Sequence, residues 1–152
     1  MSISQRLAEL GLELPEVAAP VASYIPAKIH GDLVWTSGQL PFVAGELPAS
    51  GKVGTDVDAE AAQDLARICA LNAIAAAAAA VGGVDRLTGV FKVTGFVASD
   101  PSFTGQPGVI NGASNLLGEL FGEAGAHSRS AVGVPVLPLD SPVEVEVAFT
   151  FA

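Results

Sequence analysis

The amino-acid sequence predicts an α+β fold, a sheet with helices covering one of its faces. Three observations carry that reading. The C-terminal "VEVEVAFTF" alternates strictly, placing Val143, Val145, Val147, Phe149 and Phe151 on one side and Glu144, Glu146, Ala148 and Thr150 on the other. A long Ala-rich segment opens on acids at Asp56 and Asp58 and closes on Gly82 and Gly83, as a helix does. The apolar runs and their punctuation follow the order β-β-α-β-α-β-β. At 152 residues, with no internal repeat or low-complexity linker, the chain is read as one domain over 1–152, with an additional helix at 1–12 and a core at 20–152.

Taken in order, "SISQRLAELGL" is a short amphipathic helix with Ser2 or Ser4 as its N-cap and Gly11 as its stop, and it reads as an appendage. "YIPAKIHGDLVWTSG" gives two apolar runs that the Gly31-Asp32 turn folds into a hairpin. The Gly- and Pro-rich "LPFVAGELPASGKVGT" is a long surface loop. In the long helix, Leu65, Ile68, Cys69 and Ile74 form a stripe, and Ala75 to Ala80 leave its last turns slim enough for close packing. "LTGVFKVTGFVAS" is a strand, "PSFTGQPG" a loop, and "VINGASNLLGELFGEAG" a second helix ending near Gly122 to Gly125. "SRSAVGVPVLP" is a further strand, and "LDSP" turns it into the last one.

Composition narrows the function classes. Apolar residues make up 50% of the chain and charged ones 15%, a surplus over what one core needs, which is read as subunit interface. Formal net charge is −9 and the seven basic residues are scattered, so no patch suits a polyanion and nucleic acid is not an expected partner. Cys69 is the single cysteine, which precludes an intrachain disulfide, and its surroundings suit a small buried thiol. The uncharged run from Ile68 to Val84 is short, mostly Ala and broken by Asn72, Gly82 and Gly83, so no membrane span is expected. The N-terminus lacks the basic start and apolar core of a signal peptide, leaving the cytoplasm as the expected location.

Several motifs fail on spacing. In "GELPASGKV" five residues separate Gly45 from Gly51, and Val53 follows Lys52 where a phosphate loop has Ser or Thr. His30, His127 and Cys69 share no metal-ligand spacing. No G-x-S-x-G is present, so Ser37 and Ser130 read as hydrogen-bonding groups.

What remains is Arg129, the only basic residue after Lys92. It is a solvated surface residue, a partner in a structural ion pair, or an anion receptor. Its isolation among small side chains, the lack of an acid in the ten residues that follow, and the planar fork of a guanidinium favour the receptor. Each charge-assisted bond to a carboxylate contributes about 1.5–3 kcal/mol.

"YIPAKIHGDLVWTSGQLP", "INGASNLLGELF" and "SRSAVGVPVLPLDSPVEVEVAF" together resemble the RidA (YjgF/YER057c/UK114) family, from about Tyr24 to the C-terminus. The resemblance implies a chorismate-mutase-like fold, one mixed sheet with two main helices on one face, and a homotrimer with clefts between subunits. It also implies hydrolysis of reactive 2-imino and enamine acids to 2-oxo acids and ammonia, without metal or organic cofactor. By position, the family's carboxylate-binding arginine falls on Arg129 and its water-orienting glutamate on Glu144. Tyr24, Ser37, Gly38 and Asn111 match pocket positions, and Ala131 stands where the deaminating branch has cysteine. Gly133 in place of a frequent acid, a longer loop from Asp100 to Gly108 and the N-terminal helix mark a divergent subgroup.

If the last two strands pair through a turn near Leu139 to Ser141, Arg129 and Glu144 lie about 20 Å apart at roughly 3.3 Å per residue. One chain could not then bring both to one small ligand. Either they meet across a subunit boundary, or Glu144 is a solvated glutamate beside Glu146. The expected chemistry is a carboxylate clamped by Arg129, a pocket shaped by Ser37 and Gly38, and a water oriented by Glu144. The alternative is non-catalytic binding of small carboxylates. A ribonuclease conflicts with the charge, and a mutase would rest on fold alone.

Overall fold

The computed structural model describes residues 1–17 and 22–152. In chain order it contains α1 (Ile3–Glu9), β1 (Ala27–His30), β2 (Leu33–Thr36), α2 (Ala59–Val81), β3 (Leu87–Ala98), α3 (Gln106–Phe121), β4 (Ser128–Val134) and β5 (Val143–Phe151). The expected order of strands and helices holds. The core boundary expected at residue 20 lies outside the described residues.

The strands form one five-stranded mixed sheet in the order β1-β2-β5-β3-β4. The β1–β2 hairpin turns at Gly31, whose φ of 60° is a left-handed conformation that glycine adopts at little cost. β3 pairs antiparallel with β5 and parallel with β4. The expected pairing of the last two strands is therefore wrong: β3 lies between them. Its end is satisfied from both sides, with Ala98 N–H donating to Pro142 O and Ser99 N–H to Val134 O. The connection from Val134 to Val143 passes over that end, with Leu139 and Asp140 at positive φ, instead of folding back as a hairpin.

α2 and α3 cover one face. Val143, Val145, Val147 and Phe149 point into the core beneath them and are fully buried, as the alternation predicts. Burying each such side chain stabilises the fold by about 1.5–3 kcal/mol. α2 starts at Asp58, whose carboxylate caps Ala61 N–H at 2.7 Å, and ends at Gly82 in a left-handed conformation. The predicted stripe is part of a wider buried surface that includes Ala66, Ala70, Ala73 and Ala75 to Ala78. Small side chains allow that, because α2 packs on the sheet and on α3 together. α2 is also long and apolar enough to cross a membrane by composition, but two-thirds of that window is buried, which marks a core helix. Its Asn72 is buried and donates to the Leu40 and Phe42 carbonyls, pinning the long loop after β2.

Two expectations are corrected here. α3 begins at Gln106, earlier than the loop reading allowed, because Pro107 fits the first turn where no N–H is needed. α1 is not an appendage. Ser2 and Gln5 close a capping box, Ile3 and Leu7 are buried in the common core, and Ser4 donates to both carboxylate oxygens of Asp85 at 2.8 and 2.6 Å.

Candidate functional site

Arg129 lies on the edge strand β4, in register with Val93 of β3, and so faces the helices. Its Nη1 donates to Asn111 Oδ1 at 2.8 Å and to Ser114 Oγ at 3.2 Å, and its Nη2 to the Pro107 carbonyl at 3.2 Å. All three partners come from the first turns of α3, and all are neutral. The ion pairs among the described residues are Lys52–Asp140 and Arg67–Glu119, so no carboxylate neutralises Arg129. Ala131 follows on the same face of β4, half-buried against the core, and Asn111 is exposed beside the guanidinium. Gly133, which departs from the family's frequent acid, also faces this way; a Cβ there would lie 2.8 Å from Gln106 Nε2, so the Gln106 amide occupies the space an acid would need.

Glu144 belongs to a second cluster. It pairs in register with Phe96, so it projects from the sheet face opposite to the helices and to Arg129. A Cβ on Gly38 would lie 2.7 Å from its Cδ and Oε2: the carboxylate rests against bare backbone, and any larger residue there would displace it. Gln39 and Val145 exchange backbone hydrogen bonds, which fastens the segment after β2 alongside Glu144. Ser37 donates its hydroxyl to Ile25 O at 2.6 Å and its N–H to Pro26 O, so the chain just after Tyr24 is held to the same rim. Tyr24 itself is exposed. Partial burial pushes the Glu144 carboxyl above its ordinary value, and the neighbouring charge of Glu146 adds to the shift.

The sequence-predicted residues thus fall into two groups, Arg129 with Asn111 and Ala131, and Glu144 with Gly38, Ser37 and Tyr24. Two strand spacings and three residues of register put the Arg129 and Glu144 backbones about 14 Å apart. With their side chains on opposite faces, one chain does not bring them to a common point. Cys69 is fully buried, and burial, with Glu144 contributing, pushes its thiol well above the ordinary value, as expected of an inert packing residue. Lys52, in the discarded phosphate-loop imitation, pairs with Asp140 and belongs to a turn closed by Asp56.

Sequence reading missed Ser114 and His127. His127 Nε2 lies 2.9 Å from Ser114 Oγ, and its Nδ1 lies 2.6 Å from Gly125 O. A signal was present: Ser114 follows Asn111 by three on a helix, and His127 precedes Arg129 by two at a strand start, so each pair shares a face.

Comparison with known proteins agrees with this architecture. The family model described as "YjgF/chorismate_mutase-like, putative endoribonuclease" matches residues 4–151, which extends the similarity through most of α1 rather than from Tyr24 onward. Protein TCP17 of Trypanosoma cruzi is 42% identical over 147 residues, 95% of this chain and 91% of that protein. The crystal structure of Atu1372 from Agrobacterium tumefaciens, a protein of unknown function, is 44% identical with a TM-score of 0.91, covering 99% of this chain and 92% of that one. Escherichia coli TdcF with bound serine is 25% identical with a TM-score of 0.66, covering 90% and 94%.

Proposed function

We propose, from the premise that the chain belongs to the YjgF/chorismate mutase-like (RidA) family, that it hydrolyses small 2-imino acids to 2-oxo acids and ammonia in pockets shared between the subunits of a homotrimer. The observation that carries the proposal is Arg129, a guanidinium held by three neutral acceptors and by no carboxylate. Such a group is oriented yet uncompensated, which suits an incoming carboxylate. The serine bound to TdcF is a small carboxylate of that kind.

In this reading the Arg129 edge of one subunit faces the Gly38–Glu144 rim of the next. Glu144 accepts a proton as water oxygen adds to the imine carbon. The nitrogen takes up the proton held by Glu144 and the proton of the added hydroxyl, the C–N bond breaks with its electron pair leaving on ammonia, the carbonyl forms and Glu144 returns to its carboxylate. The raised basicity of Glu144 brings it closer to what a general base at neutral pH requires. This barrier is low, so positioning and one base suffice, with no metal or organic cofactor. The ribonuclease in the family description is not favoured, since the charge is −9 and Lys52 and Arg67 are tied in ion pairs.

A second reading, binding of small carboxylates without turnover, is favoured by Ala131 at the family's cysteine position and by the separation of Arg129 from Glu144 within one chain. The two readings part in one assay. With an imino acid generated by an amino-acid oxidase, wild type should speed its loss while Arg129→Ala and Glu144→Ala each lose at least about tenfold. No acceleration by wild type, with carboxylate binding that survives in Glu144→Ala, would establish the binder instead.

A further inference from the structure

We infer that Ser114 and His127 are positioning residues for the carboxylate-binding face of Arg129, acting as a hydrogen-bond relay that ends on the Gly125 carbonyl. The inference deepens the reading above and rests on a carboxylate-binding role for Arg129.

The relay's direction follows from what each atom can donate. Gly125 O only accepts, so the His127 Nδ1 at 2.6 Å carries the hydrogen. The relay takes the ring in the form with a hydrogen on Nδ1 alone, in which Nε2 accepts and the Ser114 hydroxyl donates to it across 2.9 Å. With its hydrogen so committed, Ser114 Oγ offers its lone pairs to Arg129 Nη1 at 3.2 Å. A wrongly turned serine would aim its own hydrogen at the guanidinium. His127 prevents that.

The consequence concerns which donors stay available. A guanidinium has five N–H groups in one plane. Both Nη1 hydrogens go to Asn111 and Ser114, and one Nη2 hydrogen goes to Pro107 O. Among the described residues the Nε hydrogen makes no hydrogen bond, and it shares an edge of the group with an Nη2 hydrogen, the spacing a carboxylate grips with both oxygens. Fixing Nη1 from behind therefore fixes the plane of that edge. The anchor is rigid for its own reasons: Gly125 is buried so tightly that a Cβ would lie 2.7 Å from the Leu117 carbonyl, which ties the relay's end to α3. α3 thus holds Asn111 and Ser114 one turn apart and supports the segment that carries Gly125 and His127.

The test uses the full chain, with pyruvate as the carboxylate probe and nitrogen-15 NMR of the arginine side chains. In Ser114→Ala and His127→Ala, pyruvate binding should weaken roughly three- to tenfold, with KM rising while kcat moves less. The Arg129 Nη signals, held apart in wild type, should merge as the group rotates freely. His127→Gln, whose amide oxygen accepts from Ser114 in place of Nε2, should stay within about twofold of wild type. Unchanged binding and unchanged Nη signals in both alanine variants would overturn the relay, as would an equal loss in His127→Gln. If wild type binds pyruvate and shows fixed Nη signals but hydrolyses no imine, the catalytic reading fails and the relay stands.

Discussion

Glu144 sits on the strand where alternation points it away from the core, yet it is partly withdrawn from water against the Gly38 backbone, with Glu146 two residues on. Both effects disfavour its charged form, burial more than Glu146. The folded state therefore holds this proton more tightly than the unfolded chain, whose value is near 4.5. Between the unfolded and folded values the native state binds more protons, so stability falls as pH rises through that window, and above it the full penalty applies. Glu144→Gln removes the penalty. Its melting temperature should exceed that of wild type at neutral pH, with the gap closing below the unfolded value; a variant less stable at pH 7 would show that the carboxylate makes a favourable contact instead. The alternation of β5 made the outward direction of Glu144 legible in the sequence. The close approach of Gly38 was not, because it arises from the Gln39–Val145 bridge, between segments more than a hundred residues apart.

α2 and α3 meet where Gly112 touches the Gln63 backbone carbonyl, closer than any side chain permits. Gly112→Ala would drive the two helices apart just below Asn111 and Ser114. The expected cost is about 1–3 kcal/mol in denaturant unfolding, together with weaker carboxylate binding, since all three Arg129 partners ride on α3. A neutral effect on both would mean that the helices reseat freely. Helix limits were readable where capping residues mark them, at Asp58, Gly82 and Ser2. Strand neighbours were not. A turn signal such as "LDSP" says that the chain reverses, but not whether a third strand already occupies the place beside it, and β3 does so here. The burial of α1 was equally hidden, since Ile3 and Leu7 look the same on a free amphipathic helix as on a docked one.

Among the described residues, helices cover one face of the sheet and none covers the other, which carries Lys28, Trp35, Lys92, Thr94, Phe96, Glu144, Glu146 and Val132. Trp35 is 47% exposed and Val132 44%, so part of the apolar surplus in the composition lies here and not in the core. Arg129 and Glu144 emerge on opposite faces, and a shared pocket therefore needs more than one copy of the chain. The most direct measurement of that claim mixes subunits. Arg129→Ala and Glu144→Ala chains, each inactive alone on an oxidase-generated imino acid, are unfolded together in equal amounts and reassembled. Sites built from neighbouring subunits should regain about a quarter of wild-type activity, because one in four interfaces then joins an intact Arg129 to an intact Glu144. A mixture as inactive as its components, from chains that do assemble together, would contradict the shared pocket.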